Sequence, residues 1–194
     1  MVGYGLSLPW ENGLEEGNFS AWTATEGSPT VESLSPHHGT YHARYNPVAW
    51  ATTCCNKNLT ADTVIFVRHY FRLGLLPASG QYVDIDRLRN TGFNLICKLR
   101  IYNSAGTYQL RLVRYFPSGT DTYNLASLSA DTYYCVEFKF LKGTSGEYRA
   151  WWQGSEVITT TGVDSSGAGT LGIVSAGIHE HNYNYPDLRI DCVK

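Results

Sequence analysis

The chain has 194 residues, 16% of them charged, and a formal net charge of −2. That length can bury one sizeable core without calling for two domains. The near balance of charge gives no global field to draw a nucleic acid, and the absence of any apolar run of about 18 residues excludes a membrane-spanning helix.

Tyr (14) and Gly (19) are abundant and Met occurs once, with few runs that favour helix, a composition that points to β structure. The opening "MVGYGLSLPW" lacks the basic stretch and apolar run of a secretory leader. "ENGLEEGNFSAW" follows, placing Glu11, Glu15 and Glu16 on what reads as a loop. "SLSPHHGTYHARY" leads to the loop-like "NPVAWATTCCN". In "TVIFVRHYFRLGL" the parity puts Val64, Phe66, Arg68, Tyr70 and Arg72 on one face and Ile65, Val67, His69 and Phe71 on the other. "YVDIDRLR" alternates likewise, with Asp84 and Asp86 on one face and Arg87 and Arg89 on the other. "FNLICKLRIYN" sets Leu95, Cys97, Leu99 and Ile101 against Lys98, Arg100 and Tyr102. "SAG" turns it into the return strand "TYQLRLVRYF". "TYYCVEFKFL" and "EYRAWWQGSEVIT" form another pair around "KGTSGE", and "DLRIDCVK" is the last strand. No segment sustains a 3.6-residue period, so helix is expected to be minimal. Short strands broken by Gly, Ser, Asn and Pro predict a sandwich or barrel.

In order along the chain, "ENG…GNFSAW", "SPHHGTYHARY", "YYCVEFKF", "EYRAWWQGSEV" and "LRIDCVK" resemble the jelly-roll carbohydrate-binding and concanavalin A-like (laminin G-like) group. Its members often open with a phrase like "FESG…W", continue with "HGTYAAR" and close with "IDDV". Here Trp10 stands where Phe is usual and Cys192 where a second Asp is common. The resemblance implies an all-β, antiparallel β-sandwich of jelly-roll type over residues 1–194 as a single domain. It also implies a structural calcium ion where the first and last strands meet. The implied ligands are Glu11 and Asp191, with the chain at Gly39 and Thr40 supplying a carbonyl and Asn18 or Glu16 a further oxygen, because calcium takes six to eight hard oxygens. Glu15 and Glu16 read as solvated surface charges.

One sheet of a jelly roll is concave, and glycans lie on its exposed face. Arg68, Tyr70, Arg72, Lys98, Arg100, Tyr102 and Arg111 are the candidate basic, aromatic face. Guanidinium pairs bidentately with carboxylate or sulfate, and Tyr offers a flat apolar surface to sugar C–H groups. An ordinary solvent-facing sheet alternates in the same way. Trp50 in its loop, and Trp152, one of two adjacent tryptophans that must point to opposite faces, are the stacking candidates.

"HEHNYNYP" sets His179, His181, Tyr183 and Tyr185 on one face with Glu180 and Asn182 opposite, groups that can move a proton in a lyase. The Arg-x-Glu-Leu-Arg and Gln-Ile-His strands of such lyases are absent, as is the glucanase pattern Glu-x-Asp-x-x-Glu, so no catalytic residue is assigned. The five cysteines contain no C-x-x-C pair, which argues against a thiolate zinc site. The odd count leaves a thiol over, for disulfides in a chain or between chains. Two sequons, Asn18-Phe-Ser and Asn58-Leu-Thr, suit an exported protein. Three functional expectations follow. The first is non-catalytic binding of a polysaccharide or surface glycan, acidic if the basic face is the site, in an extracellular or virion-surface setting. The second is a self-assembling decoration, tail or filament subunit, and the third a lyase acting on an acidic glycan.

Overall fold

A period-two alternation of apolar and polar side chains runs through almost every segment, and it folds as the alternation directs. The structure is a computed structural model and describes residues 10–47, 51–60, 63–184 and 186–193. In chain order the strands are β1 (Ala24–Glu26), β2 (Thr30–Glu32), β3 (His42–Tyr45), β4 (Thr53–Asn58) and β5 (Val64–Leu73). They continue with β6 (Tyr82–Asn90), β7 (Leu95–Ser104), β8 (Thr107–Tyr115), β9 (Ser118–Asn124) and β10 (Tyr133–Leu141). β11 (Gly146–Trp152), β12 (Ser155–Val163), β13 (Leu171–His181) and β14 (Leu188–Asp191) complete them, with one 3₁₀ turn at Ser166–Ala168.

Two seven-stranded sheets result, one in the order β1-β4-β13-β6-β7-β8-β9 and the other β12-β11-β10-β5-β14-β3-β2. Every pairing between these strands is antiparallel. The architecture is thus the expected all-β sandwich. On β5, Ile65, Val67, His69, Phe71 and Leu73 are buried while Phe66 and Arg68 are exposed. On β7, Cys97, Leu99 and Ile101 are buried. Tyr45, Phe71, Phe138, Phe140 and Tyr148 are the largest wholly buried side chains between the sheets. One polar tie crosses that core: His69 Nε2 on β5 donates to Asp86 Oδ2 on β6 at 2.6 Å, with both side chains out of contact with solvent. The β7–β8 hairpin turns at Ala105 and Gly106, both at positive φ (51° and 94°), the geometry that suits the twist of a two-residue hairpin.

Three expectations are corrected here. The basic, aromatic residues do not share one face. β5 pairs with β10 and β14, whereas β7 and β8 sit with β6 and β9 in the other sheet. Arg68, Tyr70 and Arg72 therefore lie on one side of the sandwich, and Lys98, Arg100, Tyr102 and Arg111 on the other. Asp84 and Asp86 also part company. Asp84 is opposite Arg100 and Asp86 opposite Leu99, so Ile85 is an extra residue on β6 and parity reverses beyond it. Asp86 turns into the core and Arg87 joins Asp84 outside. Finally, no disulfide joins the five cysteines; Cys54, Cys55, Cys97 and Cys135 are buried and Cys192 is partly exposed.

Candidate functional site

The register of the first sheet lines up a row of charged residues across four strands. Glu180 on β13 is opposite Asp84 on β6, Asp84 is opposite Arg100 on β7, and Arg100 is opposite Arg111 on β8. Flanking rows place Tyr82 opposite Tyr102, which faces Gln109, and Arg87 opposite Lys98. The β6 bulge returns Arg87 to this face, so two strands supply three cations around one carboxylate.

Asp84 has no solvent exposure, and its two oxygens are fully engaged. Arg100 donates from Nε to Oδ1 at 2.6 Å and from Nη2 to Oδ2 at 3.3 Å, and Lys98 Nζ lies 2.8 Å from Oδ2. Glu180, closer to solvent, accepts from Lys98 Nζ at 2.8 Å and from the Tyr82 hydroxyl at 2.7 Å, with Arg87 and Arg100 at 3.5 and 3.7 Å. The Arg100 guanidinium sits 3.5 Å above the Tyr82 ring centre, and that of Arg111 3.7 Å above Tyr102, both within cation–π range. Burial alone would raise the Glu180 pKa, but hydrogen bonds from Lys98 and Tyr82 and the nearby cations hold it at about 2. Burial pushes the Lys98 ammonium down, and the charge and hydrogen bond of Asp84 more than reverse this. Burial, then the bond to Glu180, raises the Tyr82 phenol.

Four cations, Arg87, Lys98, Arg100 and Arg111, thus face two carboxylates, Asp84 and Glu180. Arg111 differs from the other three: its Nε and Nη2 donate to the Gln109 amide oxygen at 3.0 and 2.8 Å. Among the described residues no carboxylate lies within 4.0 Å of its guanidinium. The face can therefore hold an anion at Arg111 while the Asp84 network keeps its neighbours rigid.

A second bulge shapes the edge of this site. Ala176 is opposite Asp86 and Glu180 opposite Asp84, so β13 spends four steps where β6 spends two. Gly177 takes φ 131° there, and a Cβ on it would lie 2.6 Å from the Thr53 carbonyl oxygen. The expected alternation of "HEHNYNYP" breaks accordingly. The buried His179 donates from Nε2 to the Ser175 carbonyl at 3.2 Å, while its Nδ1 has no hydrogen-bond partner among the described residues. Burial first, then Arg87 and Arg89 and Lys98, holds its pKa well below the ordinary histidine value. His181 is buried with Nδ1 on the Tyr183 carbonyl, 2.7 Å away, and Tyr183 is part of the core. Tyr185 and Trp50 lie outside the described residues.

The remaining candidates occupy other places. Trp152 is the core-facing member of its pair, stacked on Tyr134 at 5.0 Å and packed on Phe71; it faces inward because it pairs with the inward Val136. Arg68, Tyr70 and Arg72 lie on the outer face of β5, where Arg72 is ion-paired with Asp131 at 2.6 Å.

The chain ends do meet, through a bridge between Asn12 and Val193, which brings the segments of Glu11 and Asp191 together. Asp191 is wholly buried. Its Oδ2 accepts the backbone N–H groups of His37 and His38 at 2.7 and 2.9 Å, and the Cys192 thiol lies 3.3 Å from Oδ1. Asn18 serves its own loop, donating to the Glu16 carbonyl at 3.0 Å and accepting from Ser20 N–H at 2.8 Å. Thr40 presents its N–H to Glu15, at 2.9 Å from Oε2, and Gly39 packs so closely there that a Cβ would strike the Glu15 carboxylate. Glu15 is exposed, as expected of a surface charge, and also clamps the loop. Among the described residues no three His, Cys, Asp or Glu side chains converge as metal ligands. As folded, this corner turns N–H and S–H donors toward Asp191, and calcium could bind only if the loop presented carbonyl oxygens instead.

Tyr82, Asp84, Arg87 and Glu180 escaped the sequence reading of the glycan face. Asp84 and Glu180 were read on their own strands, and only the strand register shows that they stand among the cations.

No family profile and no curated protein matches the sequence. Solved structures do match its fold. An endo-β-1,4-glucuronan lyase from the fungus Trichoderma reesei superposes with a TM-score of 0.70 at 15% identity, over 95% of this chain and 93% of that one. The cellulose-induced protein Cip1 gives 0.69 at 16%, covering 96% of both chains. A carbohydrate esterase of the Shiga toxin-encoding bacteriophage phi24B gives 0.65 at 15%, covering 94% of both. At these identities the likeness establishes a shared β-sandwich fold.

Proposed function

We infer that the protein binds an acidic polysaccharide along the outer face of the first sheet, with Arg111 meeting carboxylates and Tyr102 meeting sugar rings. One observation carries this reading: among the described residues no carboxylate pairs with the Arg111 guanidinium, which is stacked on Tyr102 at the end of the row of charge that runs through the buried Asp84. The names of the structural neighbours, a glucuronan lyase and a carbohydrate esterase, support a glycan as partner. The test is retention on immobilised polyglucuronate compared with cellulose. Wild type is expected to bind the acidic polymer in a salt-sensitive way. Arg111→Gln should weaken binding about tenfold, the worth of one charge-assisted hydrogen bond. No retention, or retention indifferent to both salt and Arg111→Gln, overturns the reading.

The fold shared with a glucuronan lyase favours cleavage as a second reading, with Tyr82 as the proton-transfer group, because its hydroxyl meets Glu180 beside Lys98 and its ring lies under Arg100. In such a step the Tyr82 phenolate takes the C5 proton, the C–H electrons form the C4–C5 double bond, the C4–O bond breaks and the same hydroxyl protonates the departing oxygen. Binding is placed first because burial and the bond to Glu180 raise the Tyr82 phenol, leaving little phenolate to act as base. Ultraviolet absorbance from an unsaturated uronate, lost in Tyr82→Phe, would move cleavage to the front. The structural calcium at the junction of the chain ends remains a separate proposal, resting on the proximity of the Glu11 and Asp191 segments.

A further inference from the structure

The double histidine of "SPHHGTY" and the outer residues of β5 play no part in the first face, yet they are built together on the opposite side of the sandwich. The His37 ring stacks on Tyr70 with centroids 3.8 Å apart and 17° between the planes, and it meets Tyr133 edge-on at 5.3 Å. A buried carboxylate holds this surface loop in place: Asp191 Oδ2 accepts the consecutive N–H groups of His37 and His38. Beside the rings a surface cavity of about 350 Å³ is lined by His38, Arg68, Tyr70 and Cys192.

The geometry points to a second ligand site here, for a single anionic sugar residue of the uronate class. Arg68 donates from Nη2 to the Tyr70 hydroxyl at 3.3 Å. Among the described residues no carboxylate lies within 4.0 Å of its guanidinium, although Glu137 stands directly across the strand pair. Its charge is therefore open to a ligand, in contrast to that of Arg100. A planar guanidinium matches a carboxylate with two parallel bonds, and the adjoining rings offer apolar surface to sugar C–H groups. The cavity is near the small end of the range of ligand sites, roughly 300–1,000 Å³, which suits one ring and not a chain. The choice of a uronate rests on the reading of the first face; the existence of the site does not. Two sites on opposite faces of one sandwich make the domain bivalent, able to hold two chains or two parts of one chain together.

The experiment is a titration of isotope-labelled protein with glucuronate and, separately, with glucose, following backbone amide resonances. Glucuronate is expected to shift the His38 and Tyr70 amides saturably, and glucose is not. In Arg68→Gln, shown to be folded by its own spectrum, the half-saturating glucuronate concentration should rise at least about tenfold. Equal shifts with glucose, no saturable shift at His38 and Tyr70, or an unchanged titration in Arg68→Gln would each overturn the site. Shifts confined to β7 and β8 reject this site and leave the first-face reading standing. Saturation at Tyr70 without retention on polyglucuronate rejects that reading and leaves this site standing.

Discussion

At Asp84 a carboxylate with no solvent contact faces an ammonium and a guanidinium that are themselves mostly covered, their side chains 6% and 16% exposed. Removing one partner of a buried ion pair costs more than the pair contributes, because the charges left behind have lost both water and counter-ion. Asp84→Asn keeps the shape and deletes the charge. It is expected to destabilise the fold by about 3 kcal/mol, the low end of the range for a broken buried pair, since Glu180 still accepts from Lys98. The urea midpoint measures this, and a change below about 1 kcal/mol would show that solvent reaches the network. Arg111→Gln leaves no orphaned charge, so it should alter polymer binding with little change in that midpoint. The two substitutions thus separate the scaffold of the face from its contact with ligand.

The elements were largely legible in the sequence. β5, β8, β10 and β11 follow their alternation, β7 follows it from Cys97 onward but bulges at Ile96, which takes the core place expected of Leu95, and the Ala105–Gly106 hairpin follows its turn residues. Alternation encodes which face a side chain takes but says nothing about which sheet a strand joins. That is why Arg68 and Arg100, each correctly placed on a polar face, were read as neighbours although they lie on opposite sides. Nor does it register an inserted residue: Ile85 looks like one more apolar position, and only pairing shows that it sends Asp86 inward. The meeting of the chain ends was legible through the resemblance, and there the calcium proposal can be tested. If Glu11 and Asp191 share an ion, chelation should lower Tm and added calcium restore it by linkage, with Asp191→Asn abolishing the response. A Tm unmoved by chelator and by calcium would assign Asp191 solely to holding the His37–His38 loop.

Across the whole molecule, the two charged faces sit on a core that contains neutral histidines, and this sets how the sandwich meets acid. His42 is buried, with neither ring nitrogen hydrogen-bonded among the described residues. Burial lowers its pKa, Arg189 and Arg72 add to that, and Glu32 and Asp191 oppose it. His179 is lowered further, by burial and then by Arg87, with Arg89 and Lys98 adding to it. On unfolding, each returns toward the ordinary value of 6.5, so below that pH the unfolded chain binds more protons than the folded one. Stability is therefore complete above pH 6.5 and falls as the pH drops toward the folded values, by up to about 1.4 kcal/mol per pH unit for each histidine. Glu180 acts in the same direction at lower pH: held at about 2 when folded against 4.5 ordinarily, it adds stability that is lost as the pH falls below 4.5. Tm followed from pH 8 to pH 3 is expected to be level at first and then to descend in two stages. His42→Gln and His179→Gln should each flatten the first stage, whatever they do to Tm at neutral pH. A level Tm between pH 7 and pH 5, or an undiminished slope in both variants, would mean that these rings protonate within the folded sandwich. The acid limb of the stability curve would then fall to Glu180, whose carboxylate is the group held low on the first face.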